Sequence, residues 1–276
     1  MNSIQFFKKE KHFELYKKDF EELLKYERIK IPCVVCGSND CTELFIKYNM
    51  RVVRCNKCGH VYVNPQFTGD AIKKLYDLSY WQSLQPAIGN VKLTDRVEFD
   101  YQNAVAKLRR DILPFKQNGK FLDIGCSNGA LVKCAKEFGF DTIGIEVSKD
   151  VVQFAHQCFP DISVREGLLT EQNFSENYFD VITLYDVLEH LFNPRIELNE
   201  IYRILKPGGL LFIETPTTDS IFYLEDPYSW DLMNPIEHVH LFNEENLIRL
   251  LIEIGYVIIE SKCPHENNIT VHCTKA

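Results

Sequence analysis

No stretch of this 276-residue chain approaches the roughly 18 consecutive apolar residues that a membrane span requires. The opening residues, MNSIQFFKKEKHFELYKKDF, alternate charge with aromatics and lack the apolar core of a secretory signal. A cytoplasmic protein without a membrane partner is therefore expected. Internal repeats and low-complexity tracts are absent as well. Positive charge is scarce where it would matter: the formal net charge is −8, and although residues 1–60 hold 12 Lys/Arg against 8 Asp/Glu, the remainder holds 19 against 31. A long phosphate backbone would find little attraction on that body, so nucleic acid is not the expected partner. Nothing in the residues speaks to an oligomeric state.

With 45% hydrophobic and 25% charged residues, the chain is long enough for one sizeable α/β core and a smaller appended unit. Four of its ten cysteines form two C-x-x-C pairs, whereas Cys126, Cys134, Cys158, Cys263 and Cys273 sit singly in apolar or motif contexts. That usage suits a reducing compartment and one metal site better than a disulfide framework.

Four regions follow. Residues 1–30 read as an amphipathic helical extension, because Phe13, Tyr16, Phe20, Leu23 and Leu24 recur at helical spacing among Lys and Glu. Residues 31–66 read as short strands punctuated by Cys and Gly, and 67–115 as a helical connector or lid interrupted around Trp81, Pro86 and Gly89. Over 116–276, strand and helix patterns alternate, which argues a mostly parallel sheet covered on both faces. The end differs, since two strand-like runs, Tyr256–Ser261 and Ile269–Thr274, flank a short polar turn that can join only antiparallel strands.

The chemistry starts at Phe121-Leu-Asp-Ile-Gly125-Cys-Ser-Asn-Gly129-Ala-Leu-Val, a buried strand, a glycine-rich turn and a helix start. Glycine lets a ligand approach the backbone closely, and the turn stands where open α/β sheets bind ligands. The Gly125-x-x-x-Gly129 spacing fits poorly to the G-x-G-x-x-G of dinucleotide folds. The same residues match the G-x-S-x-G elbow of α/β-hydrolases, with Ser127 as nucleophile. That elbow, however, follows a central strand flanked by several earlier ones, and before residue 119 the chain offers only the cysteine region and helices.

The loop resembles the first motif of the class I S-adenosylmethionine (SAM)-dependent methyltransferases, here Asp123-Ile-Gly125-Cys-Ser-Asn-Gly129. Further landmarks are Glu146 ending the next strand, Phe179-Asp-Val-Ile-Thr-Leu-Tyr-Asp186-Val-Leu-Glu189-His190, Arg203-Ile-Leu-Lys206-Pro-Gly-Gly209 and Glu214-Thr-Pro216. The resemblance covers about 96–276 and is closest to ubiquinone-biosynthesis-type O-methyltransferases and a bacterial group with an N-terminal C-x-x-C module. It implies a Rossmann-like, seven-stranded, mostly parallel sheet with a C-terminal antiparallel hairpin. It implies also a SAM site built by Asp123, Gly125, Cys126, Ser127, Gly129, Glu146, Val147, Glu166, Gly167, Leu168, Tyr185 and Asp186. Asp123 would answer the ammonium group of SAM and Glu146 its ribose hydroxyls. One departure stands out: where the family places an acid or amide for the adenine amine, Glu166-Gly-Leu-Leu leaves only Glu166.

Cys33-x-x-Cys36 and Cys55-x-x-Cys58, 18 residues apart, have the spacing of a structural zinc site. Four thiolates close a tetrahedron and leave no position for substrate, so this zinc holds the fold. Zinc ribbons often touch nucleic acid, which keeps an RNA methyltransferase as an alternative, but Arg51, Arg54 and Lys57 make too short a phosphate track. On the acceptor side, His190, His238 and His240 are the catalytic candidates. Asp186, Glu189 and His190 share one face if their turn is helical, while His238 and His240 face opposite ways in an extended segment. Three roles are open: a histidine as general base, a Mg2+ site at Asp186, Glu189, His190 and His240 like those of the resembling enzymes, or mere support of the SAM pocket. Tyr223, Tyr228 and Trp230 lie where the fold usually builds its acceptor wall. The leading expectation is O-methylation of a small-molecule acceptor, a sugar or secondary-metabolite hydroxyl; a SAM-binding regulatory protein without turnover is the non-enzymatic alternative.

Overall fold

The computed structural model describes residues 25–67, 71, 76, 92–263 and 266–276. The aromatic and leucine positions of the expected N-terminal helix, Phe13 to Leu24, and the Trp81–Gly89 interruption lie outside these residues.

The body of the molecule is a seven-stranded sheet. Its strands in chain order are β6 (Gly119–Ile124), β7 (Phe140–Glu146), β8 (Val164–Glu166), β9 (Phe179–Tyr185), β10 (Leu205–Pro216), β12 (Tyr256–Lys262) and β13 (Asn268–Lys275). Their spatial order is β12-β13-β10-β9-β6-β7-β8, so the chain builds outward from β6 to one edge, then returns past β6 to build the other half. The crevice between β6 and β9, where the order reverses, is where ligands bind in such sheets. β6 to β10 pair in parallel, and β13 runs antiparallel to both β10 and β12. The parallel strands are apolar runs because helices cover both faces, and Phe121, Leu122, Val181, Ile182, Leu184, Leu211 and Phe212 are all essentially inaccessible.

The covering helices are α1 (Val97–Lys107), α2 (Ala130–Glu137), α3 (Lys149–Cys158), α4 (Pro194–Ile204) and α6 (Glu244–Ile254), with a short α5 (Ile221–Glu225). Their ends follow local chemistry. Ser148, Asn193 and Asn243 cap α3, α4 and α6 by accepting backbone N–H groups, and Pro194 opens α4. Gly255, at φ +119, ends α6 in the left-handed conformation and turns the chain into β12.

The cysteine region forms β2 (Cys41–Lys47), β3 (Met50–Cys55) and β4 (Val61–Val63), an antiparallel meander, while β1 (Arg28–Ile29) pairs with β5 (Gln66–Phe67). Its sheet gains a fourth strand from the large body: β11 (His240–Leu241) pairs with β4. The segment after β10 is thus shared between the two units. Among the described residues, no helix is long and apolar enough to cross a membrane.

Candidate functional site

A cavity of about 500 Å3 opens at the carboxyl ends of β6, β7, β8 and β9. The glycine loop forms its floor. Gly125 has φ +72, and a Cβ there would stand 2.5 Å from Val187 Cγ2, so the position excludes any other residue. The Gly125 and Cys126 N–H groups donate to the Ile145 carbonyl at 2.8 and 3.0 Å, which ties the loop to β7. Cys126 is buried and fills the space left by Gly144, where a Cβ would lie 2.6 Å from its Sγ. It packs; burial pushes its thiol well above the ordinary range.

Two carboxylates face this cavity. Asp123 is buried and accepts the Thr183 hydroxyl at 2.7 Å. Burial pushes it up to about 7, which leaves it in need of a cationic partner. Glu146 accepts Ser127 N–H on one oxygen at 3.1 Å and Ser148 N–H on the other at 3.0 Å, so the carboxylate is fixed while a lone pair on each oxygen remains. Burial raises this carboxyl too, against those backbone donors.

Ser127, Val147, Gly167, Leu168, Tyr185 and Asp186 also line the cavity. Gly129 and Glu166 are not among its lining. Gly129, at φ +77, starts α2 where a Cβ would strike Ile162 Cδ1 at 2.4 Å, and Glu166 is exposed at the sheet edge. Several lining residues carry no motif and escaped sequence reasoning. From α1, Asp100 receives Arg96 on both oxygens at 2.9 Å and Asn128 at 2.7 Å. Lys107 sits 4.1 Å from the Tyr185 ring centre and 3.4 Å from Glu214. Tyr76 and Glu197 complete the wall. Only the acid-rich start of α1 signalled that this helix faces something polar.

The histidines divide. His190 and His238 line the cavity with ring centres 4.7 Å apart. His190 Nδ1 lies 2.9 Å from the Glu237 carbonyl and His238 Nδ1 2.7 Å from the Leu232 carbonyl. A carbonyl only accepts, so both rings carry a proton on Nδ1 and leave Nε2 outside that bond. The Tyr76 hydroxyl lies 2.7 Å from the same His190 Nδ1. Glu189 is fully buried, accepts Thr215 on Oε2 at 2.8 Å, and leaves Oε1 without a hydrogen-bond partner among the described residues, 3.7 Å from His190 Nε2. Burial drives Glu189 up to about 8 and His190 down to about 3, so the ring is neutral at physiological pH.

Glu189, His190 and His238 each present a ligand atom within 4.8 Å of the others. Asp186 and His240 are not in that group. Asp186 has φ +55 and precedes the single 3-10 turn Leu188–His190, so the helical face expected to align it with Glu189 does not form. His240 does not reach the cavity at all. It is fully buried between the two units, one ring nitrogen 3.1 Å from His60 Nε2 and the other 3.1 Å from the Gln66 amide. Tyr223 and Trp230 likewise turn away from the cavity and pack with Val52, Val61, Met233 and Leu241 on the small sheet. Tyr228 is exposed, edge-on to Phe45.

Cys33, Cys36, Cys55 and Cys58 bring their sulfurs within 4.8 Å of one another, with 3.5 Å between the Cys33 and Cys58 sulfurs and between those of Cys36 and Cys55. Four thiolates about 2.3 Å from a zinc ion sit roughly 3.8 Å apart, so the cluster fits that ion. Arg195 of α4 donates to the Val34 and Val35 carbonyls, pinning the first knuckle to the large body.

A sequence profile of the family described as Methyltransferase domain matches residues 98–261, more than half of the chain. The ubiquinone biosynthesis O-methyltransferase of Glaesserella parasuis serovar 5 (strain SH0165) is 34% identical over 121 residues, 39% of this chain and 51% of that one. Phosphoethanolamine N-methyltransferase 3 of Arabidopsis thaliana is 30% identical over 129 residues, 42% of this chain and 26% of that one. The match spans about half the length of the first of these relatives and a quarter of the second. Among solved structures, a SAM-dependent methyltransferase from Archaeoglobus fulgidus superposes with TM-score 0.52 at 21% identity, over 66% of this chain and 98% of that chain. That likeness is one of fold.

Proposed function

This chain belongs to the methyltransferase domain family, and on that premise we propose that it uses SAM to methylate a hydroxyl of a small molecule. The observation that carries the proposal is one cavity whose floor is the Asp123, Gly125 and Glu146 loop and whose far wall holds His190 and His238. Asp123 answers the ammonium group of the methionyl part, which supplies the positive charge its burial calls for. Glu146 accepts both ribose hydroxyls through its remaining lone pairs. Bound there, SAM would supply a methyl group for in-line displacement, and the cavity wall would have to align the acceptor oxygen with it.

A hydroxyl is a weak nucleophile until its proton leaves. His190 offers a neutral ring with the lone pair on Nε2, His238 faces the same cavity with its Nδ1 on a carbonyl, and Glu189, once ionised, stabilises the imidazolium that forms on His190. The cysteine module, with zinc in its four thiolates, backs the segment that carries His238. Val63 N–H donates to the Val239 carbonyl at 2.9 Å and Val239 N–H to the Glu189 carbonyl at 2.9 Å.

A second reading of the same residues rests on Glu189, His190 and His238 as convergent donors: they would hold a divalent cation that lowers the acceptor's pKa. Two imidazoles and one carboxylate suit a transition metal better than Mg2+, which prefers oxygen. The test is transfer of labelled methyl from SAM to a panel of catechols, phenols, sugars, amines and short RNAs, with and without chelator. Label in hydroxyl acceptors that survives chelation supports the base mechanism. Loss with chelator while the cysteine site keeps its zinc supports the cation, and label only in amines or RNA overturns the O-methylation reading.

A further inference from the structure

We infer that Glu197 reads the adenine ring, in place of the missing acid after the third strand; this rests on the SAM reading above. The loop after β8 is short of free polar groups. Glu166 is exposed and outside the cavity lining. Gly167 N–H donates to the Glu146 carbonyl at 3.0 Å, and Leu168 N–H donates to Glu171 Oε2 at 2.8 Å. The Gln172 amide donates to the Glu166 and Leu168 carbonyls. What this loop turns toward the cavity is Gly167, Leu168 and Leu169, an apolar surface suited to the face of a purine and blind to its edge.

Glu197 comes from the other side. It stands in the first turns of α4, which the Asn193 cap and Pro194 fix in place and which packs against the 3-10 turn Leu169–Glu171. Glu197 lines the cavity with Leu168, Leu169 and Leu191, and among the described residues no hydrogen bond or ion pair engages its carboxyl. The neighbouring acids are both committed, Glu200 to Arg203 and Glu171 to Leu168 N–H. A carboxyl left without a partner in an apolar wall is costly unless a ligand supplies one. Adenine presents a 6-amino donor beside the N1 acceptor. A protonated carboxyl meets both with two parallel bonds, its carbonyl accepting from the amine and its O–H donating to N1. Burial, with Glu200 and Glu171 nearby, pushes Glu197 up to about 7, which favours that protonated form.

The experiment is calorimetric titration of the full chain with S-adenosylhomocysteine and with its analogue lacking the 6-amino group. Wild type should prefer the adenine ligand by about tenfold, the worth of one buried hydrogen bond together with its unpaired partner. Glu197→Leu should bind S-adenosylhomocysteine about tenfold more weakly and discriminate within about twofold. Glu197→Gln, whose amide has the same donor and acceptor, should restore the preference; a purely structural role for Glu197 would not yield that pattern. The preference is a ratio measured within each protein, so partial destabilisation cancels. A leucine variant that keeps the wild-type preference overturns the inference, as does a wild type that binds both ligands equally. Failure of wild type to bind S-adenosylhomocysteine removes the SAM reading itself.

Discussion

Replacing His240 by phenylalanine separates chemistry from architecture. The ring would keep its stacking neighbours, since His60 and Phe242 lie with ring centres 5.4 and 6.3 Å from it. It would lose both nitrogens. The His60 ring nitrogen, 3.1 Å from His240, would lose that partner, and the Gln66 amide, also 3.1 Å from His240, would keep only the Val239 carbonyl at 3.5 Å. An orphaned group costs about 1–3 kcal/mol and a weakened one less, so the loss is roughly 1–4 kcal/mol. For a chain of this size that corresponds to a fall in Tm of roughly 3–12 °C. Thermal unfolding with and without S-adenosylhomocysteine measures it, beside titration of the same ligand. Affinity should stay within about threefold of wild type, because no polar group of the cofactor cleft is touched. A variant as stable as wild type that had lost methyl transfer would refute the placement and return His240 to the chemistry.

Further outcomes follow from the same geometry. Removing the His238 or His190 ring nitrogens, as His238→Phe or His190→Phe, should lower kcat by roughly 10²–10⁴ with little change in SAM affinity; unchanged kcat in both variants would rule out a histidine base. Metal analysis should find about one zinc per chain, and Cys36→Ser should lose it together with much of the thermal stability; a metal-free wild type of equal stability would sink the structural-zinc reading. The pH dependence of the ligand-free protein has a definite sign. Burial holds Asp123 and Glu197 at about 7 and Glu189 at about 8, so the folded chain keeps protons that the unfolded chain has released by about pH 5. His190 at about 3 and His240 at about 4 work the opposite way, but only below about pH 6.5. Stability should therefore fall as pH rises from about 6.5 to 8, by on the order of 3 kcal/mol. Denaturant titrations across that range that show constant or rising stability would contradict it.

Much of this was legible in the sequence because its parts are local. The alternation after Gly119 prescribed the parallel sheet, and the polar turn between Ser261 and Ile269 prescribed the antiparallel end. The helices Lys149–Cys158 and Glu244–Ile254 are bounded by local signals, serine and asparagine caps at their starts and a glycine after the second. The C-x-x-C spacing brought four sulfurs together as expected. What the sequence could not show is long-range. His60 and Gln66 meet His240 across some 180 positions, and nothing at either end announces the contact. Residue alternation did separate His238 from His240, but not which of them would face the cavity. The aromatic trio Tyr223, Tyr228 and Trp230 suits an acceptor wall because loops after the fifth strand build one in this fold; here the small sheet occupies that flank, and Tyr223 and Trp230 bury against it.

The most direct measurement is calorimetric titration of the folded protein with SAM and with NAD, repeated on Glu146→Ala. SAM should bind near one per chain, NAD should not bind, and the variant should lose at least about tenfold in affinity, as removal of a charged acceptor of ribose hydroxyls requires. A wild-type protein that is folded yet takes up no SAM would contradict the assignment of the cavity, and Ser127, at the position of a hydrolase elbow, would be the next residue to test.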